Sequence, residues 1–71
     1  MYISLRKVDN SDNTMSRTIR LLIADDHSVV RAGLRALLER QGHFKVVAEA
    51  STGEEAVQLA QDHQPDVAIL D

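Results

Sequence analysis

The chain of 71 residues contains no cysteine and no tryptophan, a single proline, three glycines and only 3% aromatic residues. The lack of cysteine excludes disulfides and thiolate metal sites, and we expect a reducing compartment. With so few aromatic residues, any hydrophobic core must be built from aliphatic side chains, which make up most of the 44% hydrophobic content.

Long apolar runs and an excess of positive charge are also lacking. No apolar run approaches the roughly 18 residues that a membrane span needs, and residues 1–18 have no apolar stretch typical of a signal peptide. The formal net charge is −3, which provides no basic surface for nucleic acid. We therefore expect a cytoplasmic protein with no membrane partner, whose residues 1–71 do not bind DNA by themselves.

The first part of the chain is polar and has no sustained hydrophobic period. A run of polar residues at 9–14 predicts a flexible N-terminal extension over residues 1–18. Met15 precedes the ordered pattern and is a candidate start codon. We expect the ordered domain to comprise residues 19–71.

From Ile19 onward, apolar segments alternate with amphipathic ones. Residues 21–24 form an uninterrupted apolar run, which is typical of a strand covered on both faces. An amphipathic helix follows, and Gly42 is a plausible stop for it. The apolar stripe of this helix consists of Val30, Leu34, Leu37 and Leu38.

The second half of the pattern repeats this order. Phe44–Ala50 predicts a strand with a partial alternation, in which Phe44, Val46 and Ala48 share one face and Lys45, Val47 and Glu49 the other. Ser51 with Glu54, or Thr52 with Glu55, forms a capping-box signature for a second helix, which Pro65 must end. Val67–Leu70 predicts a third, apolar strand.

The order β-α-β-α-β indicates an α/β protein with a parallel sheet covered by helices. The second strand is the most polar of the three and suits an edge, whereas the first is uniformly apolar and suits the centre. We therefore predict the spatial order 2-1-3, counted along the sequence. Right-handed crossovers then place the two helices on opposite faces of the sheet.

Three carboxylates end the first and third predicted strands. Asp25 and Asp26 follow the first strand, and Asp71 follows the third. In the order 2-1-3 these strands are neighbours about 4.8 Å apart, so the carboxylates converge at one edge of the sheet. Their mutual repulsion makes sense if a divalent cation such as Mg²⁺ lies among them. In the order 1-2-3 they would lie too far apart to share an ion.

Each of these residues also has a purely structural interpretation. Asp25 and Asp26 could cap the following helix, a role that can coexist with metal binding, and Asp71 could simply end a buried strand. His27 is predicted to be a surface histidine at a helix start, since no partner residue has ligand spacing. Gly33 is predicted to allow close packing of the first helix against a neighbour.

Taken together, the motifs closely resemble the receiver domains of two-component response regulators. The resemblance is greatest to the NarL/FixJ-like branch, which carries a LuxR-type helix-turn-helix output domain. It covers residues 19–71 without a gap. The matching stretches, in order, are residues 19–27, 31–38, 46–50, 53–56 and 65–71.

The resemblance implies a flavodoxin-like (CheY-like) three-layer α/β sandwich of strand order 2-1-3-4-5, of which this chain contains the first three strands. It implies that Asp71 is the phosphoacceptor, which receives the phosphoryl group of a sensor histidine kinase. Asp26 would bind Mg²⁺ directly, Asp25 would bind through water or as a second ligand, and Asp71 would complete the metal site. Such a domain is regulatory, not an enzyme.

Several parts that the resemblance implies lie outside these residues. The Thr or Ser and the Lys of the family's phosphoryl site are absent, as is the output domain, so homodimer formation and DNA binding belong to a full-length protein. We expect residues 19–71 to be a partial receiver domain of marginal stability, whose third strand is an uncovered edge. Two alternatives are a binding module that works without phosphorylation and a Mg²⁺-dependent phosphohydrolase, for which no general base is evident.

Overall fold

The computed structural model describes residues 2–4 and 18–70. From Ile19 onward the elements follow the predicted β-α-β-α-β order. In chain order they are β1 (Tyr2–Ser4), β2 (Ile19–Ala24), α1 (Ser28–Glu39), β3 (Phe44–Ala50), α2 (Gly53–His63) and β4 (Val67–Leu70). Within the described residues, neither helix has the length and apolar character needed to cross a membrane.

The strands form one sheet in the order β1-β4-β2-β3. β2 lies between β3 and β4 and pairs in parallel with both, so the predicted order 2-1-3 is confirmed. The apolar composition of β2 explains its central position, because Leu22 and Ile23 are completely buried. Residues 21–24 of this strand are covered by neighbours on both sides and by helices on both faces, so a polar side chain there would be buried at a high cost.

The two helices cover opposite faces of the sheet, as predicted. Leu22 and Ala24 of β2 pack beneath α2, whereas Leu21 and Ile23 pack beneath α1, because successive side chains of a strand point to opposite faces. The helix residues in these clusters are Ala56, Leu59 and Ala60 of α2 and Leu34 and Leu38 of α1.

An irregularity in β3 corrects the predicted faces of this strand. The register steps from Leu21 opposite Val46 to Leu22 opposite Ala48, so Val47 is an extra residue on β3. A bulge of this kind reverses the alternation of the side chains that follow it. Val46 packs on the α1 side while Ala48 packs on the α2 side, and the prediction that they share a face is wrong.

The N-terminal segment corrects a second prediction. Tyr2–Ser4 pair antiparallel with β4, so the predicted flexible extension over residues 1–18 differs from the structure at these residues, and the predicted uncovered edge of β4 is covered. An apolar edge strand offers unpaired backbone groups to any extended segment within reach. Residue 1 and residues 5–17, which include Met15 and most of that prediction, lie outside the described residues.

Both helix ends match their sequence signals. α1 ends at Glu39, and the chain turns through Gly42 at a φ of 86°. α2 ends at His63, where Gln64 adopts a left-handed conformation with a φ of 49°, and Pro65 follows. The predicted stops at Gly42 and Pro65 are therefore confirmed, since a left-handed residue and a proline each interrupt helical geometry.

Gly33 does not fulfil its predicted packing role. It lies in the interior of α1 on the exposed side, and a Cβ at this position would meet no atom within 4 Å. Gly42 also has open space around it, but its positive φ favours glycine. The two glycines therefore differ in backbone conformation and not in crowding.

We predict that Gly33→Ala raises the free energy of unfolding by about 0.5–1 kcal/mol, because alanine is the better helix former and nothing obstructs its methyl group. The matched variant Gly42→Ala should lower the free energy of unfolding, because alanine is strained at a positive φ. Urea unfolding followed by circular dichroism measures both. Destabilisation by Gly33→Ala would contradict the exposed position of this residue.

Candidate functional site

A cavity of about 300 Å³ lies at the edge of the sheet where β2, β3 and β4 end. Ligands of open α/β sheets bind at this position, outside the carboxyl ends of the strands. Asp25 and Asp26 both face it, and Asp71 follows Leu70 in the sequence but lies outside the described residues. The residues that line the cavity are Ala24, Asp25, Asp26, Ser51, Thr52, Gly53 and Leu70.

Asp25 is buried and is held from several directions. Its N–H donates to the carbonyl oxygen of Ala50 over 3.0 Å, and its own carbonyl accepts from Arg31 Nη1 over 2.6 Å. Its carboxylate oxygen Oδ1 accepts the backbone N–H of His27 over 2.8 Å. Only 3% of the residue is exposed, so the bond from the His27 N–H offsets part of the cost of removing the carboxylate from water.

Asp26 is exposed, and its carboxylate is joined to that of Asp25 by an imidazole. His27 Nδ1 lies 2.8 Å from Asp26 Oδ1 and 3.1 Å from Asp25 Oδ1. One potential ligand atom from each of the three residues lies within 4.8 Å of the other two. The prediction that His27 is a surface histidine at a helix start is confirmed, because its side chain is 70% exposed and it is the N-cap of α1. The reason given for it, that no partner residue has ligand spacing, is wrong, since the imidazole contacts both carboxylates.

Helix capping does not account for the two carboxylates. The residue that precedes α1 as its N-cap is His27, whose side chain makes no capping bond, and no acidic residue lies in the first turn. Asp25 binds the N–H of His27 itself, one residue ahead of the helix. The carboxylates are thus arranged around the turn and the cavity, and not around the free N–H groups of α1.

The opposite wall of the cavity is formed by the start of α2. Thr52 Oγ1 accepts the N–H of Glu55 over 3.1 Å, and Glu55 Oε1 accepts the N–H of Ser51 over 2.7 Å. This selects Thr52 with Glu55 from the two predicted capping pairs, although the glutamate reaches the residue before the N-cap. The positive end of the α2 dipole therefore lies beside the carboxylates.

A chain of charged residues joins α1 to β3 beside the site. Arg31 Nε lies 3.3 Å from Glu49 Oε1, and Arg35 Nη1 lies 2.7 Å from Glu49 Oε2. Arg35 also pairs with Glu39, which accepts the N–H of Val46. The hydrogen bond that Arg35 donates to Glu49, together with the charge of Glu39, raises the pKa of Arg35 above its usual value. An arginine is charged at all ordinary pH values, so this shift creates no pH switch.

The other end of the sheet carries a second buried carboxylate. Asp66 Oδ2 accepts the N–H of Arg20 over 2.9 Å, and the N–H of Asp66 donates to the carbonyl of Arg20 over 2.8 Å. These bonds join the amino ends of β2 and β4. Asp66 is therefore separated from the cavity by the length of the strands. Its bonds with Arg20 hold β2 and β4 together and take no part in the cavity.

Comparison with known proteins agrees with this arrangement. Residues 21–71 match the model of the response regulator receiver domain. This chain belongs to the receiver-domain family. It is 51% identical over 53 residues to the transcriptional regulatory protein LiaR of Bacillus subtilis, and 49% identical over 53 residues to the oxygen regulatory protein NreC of Staphylococcus epidermidis. Each match covers 75% of this chain and about a quarter of the relative.

A solved structure supports the receiver fold independently. The crystal structure of a LuxR-family two-component response regulator from Aurantimonas sp. SI85-9A1 superposes with a TM-score of 0.69 at 43% identity. The match covers 72% of this chain and 36% of that one. The predicted flavodoxin-like α/β class and the resemblance to LuxR-type regulators are confirmed. The roles of Asp25, Asp26 and Asp71 in this receiver stay predictions.

We predict that Thr52→Ala lowers the free energy of unfolding by about 1 kcal/mol, because the N–H of Glu55 loses its acceptor. Thr52→Ser keeps a hydroxyl at the same position, so its free energy of unfolding should remain close to that of the original protein. Urea unfolding of the three proteins measures the difference. Equal stability of Thr52→Ala and the original protein would contradict the assigned cap.

Proposed function

We propose that this chain is the phosphoryl-accepting part of a response regulator, in which Asp71 takes a phosphoryl group from a sensor histidine kinase. The observation that carries the proposal is the register of β2 and β4, in which Ala24 lies opposite Leu70. The residues that follow these two in the sequence are Asp25 and Asp71. Asp25 lines the cavity together with Leu70, and the proposal assigns the carboxylate of the next residue, Asp71, to the same cavity.

The donor set at this cavity fits Mg²⁺. This ion prefers oxygen ligands, keeps several waters and commonly binds one or two carboxylates beside a phosphate. We assign Asp26, Asp25 and Asp71 to the ion, with Asp26 as a direct ligand and Asp25 as a direct or water-mediated one. The imidazole of His27 is a less suitable ligand for a hard ion. When bound, Mg²⁺ supplies positive charge that offsets the charge on the transferring phosphoryl oxygens.

The chemistry required of the chain itself is limited. A carboxylate oxygen of Asp71 attacks phosphorus in line, and the bond from phosphorus to the histidine nitrogen of the kinase breaks, leaving an aspartyl phosphate. The turn at 51–53 and the start of α2 border the cavity with a positive dipole end, which favours an incoming phosphoryl group. Asp25 adds fixed negative charge that retains the cation.

The wider role follows the relatives and is part of the proposal. Their names describe a transcriptional regulatory protein and an oxygen regulatory protein, and the structural neighbour is a LuxR-family regulator. We infer a cytoplasmic signalling role in which phosphorylation controls a DNA-binding output domain of the full-length protein, with homodimer formation there. The domain is then a regulatory phosphoacceptor, and its only reaction is the phosphorylation of itself.

We predict that the chain, incubated with Mg²⁺ and a small acyl phosphate donor, gains one phosphate by intact mass spectrometry. Asp71→Asn should abolish the gain because it removes the nucleophile, and Asp26→Asn should largely abolish it because it removes a metal ligand. Asp62→Asn is the matched control, since Asp62 is exposed on α2 and accepts a hydrogen bond from Gln58 of the same helix, away from the cavity.

The outcomes separate the alternatives. Label that persists in the Asp71→Asn protein would move the acceptor to another residue. Continuous release of inorganic phosphate without a stable label would favour the phosphohydrolase. No label in the original protein would favour a binding module that works without phosphorylation.

A further inference from the structure

The backbone of Asp25 is fixed by groups that come from β3 and α1. Its N–H is bound by Ala50 of β3, and its carbonyl oxygen accepts Arg31 Nη1 at 2.6 Å, which is short for a nitrogen donor. Arg31 is itself only 19% exposed at its side chain. The guanidinium is therefore held in a partly buried position, where charged hydrogen bonds are stronger than in water.

The second bond of Arg31 depends on the irregularity in β3. Because Val47 is an extra residue, Glu49 is on the α1 side of the sheet, where it reaches Arg31 Nε at 3.3 Å. Arg35 binds the other carboxylate oxygen of Glu49 at 2.7 Å. Arg35 therefore holds the carboxylate of Glu49, and Glu49 in turn holds the guanidinium of Arg31.

We propose that Arg31 is a positioning residue for the metal site: it fixes the carbonyl of Asp25 so that the carboxylates of Asp25 and Asp26 face the cavity. This inference rests on the proposed magnesium site. Arg31 does not contact the ion; it acts through the peptide that joins the two carboxylate residues. Glu49 supports it by holding the planar guanidinium, which can bind the carbonyl and the carboxylate at once.

Arg35 provides a matched control. It carries the same charge on the same helix and binds the same glutamate, but within the described part of the chain its hydrogen bonds go to Glu39 and Glu49 and not to Asp25. Loss of either arginine removes an ion pair with Glu49. Only loss of Arg31 releases the carbonyl of Asp25. A difference between the two variants therefore reports the positioning effect and not the loss of charge.

The test is a Mg²⁺ titration of the full 71-residue chain, followed by NMR chemical shifts, for the original protein, Arg31→Met and Arg35→Met. We expect Arg31→Met to weaken Mg²⁺ binding by about tenfold, the scale for groups that orient metal ligands. The Mg²⁺ affinity of Arg35→Met should stay within about twofold of that of the original protein, because this variant loses only a surface charge near the site.

A second readout does not need the metal. Without Mg²⁺, amide hydrogen exchange at His27, whose N–H donates to Asp25 Oδ1, should be faster in Arg31→Met and unchanged in Arg35→Met.

Arg31→Lys keeps a cation that can donate to the carbonyl but cannot bridge to Glu49, and its Mg²⁺ affinity should fall between those of the original protein and Arg31→Met. If circular dichroism finds Arg31→Met unfolded, Arg31→Lys against Arg35→Lys gives the same comparison.

Equal Mg²⁺ affinity in the Arg31 and Arg35 variants, with binding intact in the original protein, would overturn the positioning role and leave the proposed function standing. Absence of Mg²⁺ binding in the original protein would overturn both. Weaker binding in Arg31→Met alone, with faster exchange at His27, supports the inference.

Discussion

The parallel pairing of β2 with β4, in register from Leu21 opposite Val67 to Ala24 opposite Leu70, is the constraint on which the candidate site depends. Parallel strands end at the same edge of a sheet, so the polar residues that follow them are brought to one place without any special loop. The burial of the apolar residues 21–24 of β2 is what places this strand in the centre, beside β4. A sheet with β2 at its edge would have separated the same carboxylates. The chemistry proposed for the cavity is therefore a consequence of how apolar residues are distributed among three short strands.

Much of this arrangement could be predicted from the sequence, for a physical reason. Residues 21–24 are apolar on both faces and β3 is not. Burial of apolar side chains therefore favours the strand of residues 21–24 at the centre of the sheet and β3 at its edge. The central strand, the helices on opposite faces and the placement of Asp25 and Asp26 at the carboxyl edge all follow from it. The stops at Gly42 and Pro65 were predictable because they depend on the backbone of single residues. The family resemblance then added the roles proposed for Asp25, Asp26 and Asp71, which spacing alone left open between structural roles and metal binding.

The features that sequence analysis missed depend on contacts that no local pattern encodes. The extra residue at Val47 moves Glu49 to the α1 side, and without that shift Glu49 could not bind Arg31. Alternation rules assume an unbroken ladder, so they assigned Ala48 and Val46 to one face. His27 was considered alone, although the turn after β2 folds its imidazole back onto Asp25 and Asp26. The pairing of Tyr2–Ser4 with β4 depends on an edge far away in the sequence.

The central claim is that one cation site lies at the carboxyl edge of β2 and β4, and it is tested most directly with a paramagnetic ion. Mn²⁺ accepts the same oxygen ligands as Mg²⁺ and broadens the NMR signals of nearby amides. The account predicts that Mn²⁺ first broadens the amides of Asp26, Gly53 and Leu70. The amides of Arg20 and Asp66, about 16 Å away at 3.3 Å per strand residue, should broaden only at higher Mn²⁺ concentrations. Broadening centred elsewhere, such as around the exposed Asp62 of α2, or spread evenly over the acidic surface, would contradict it.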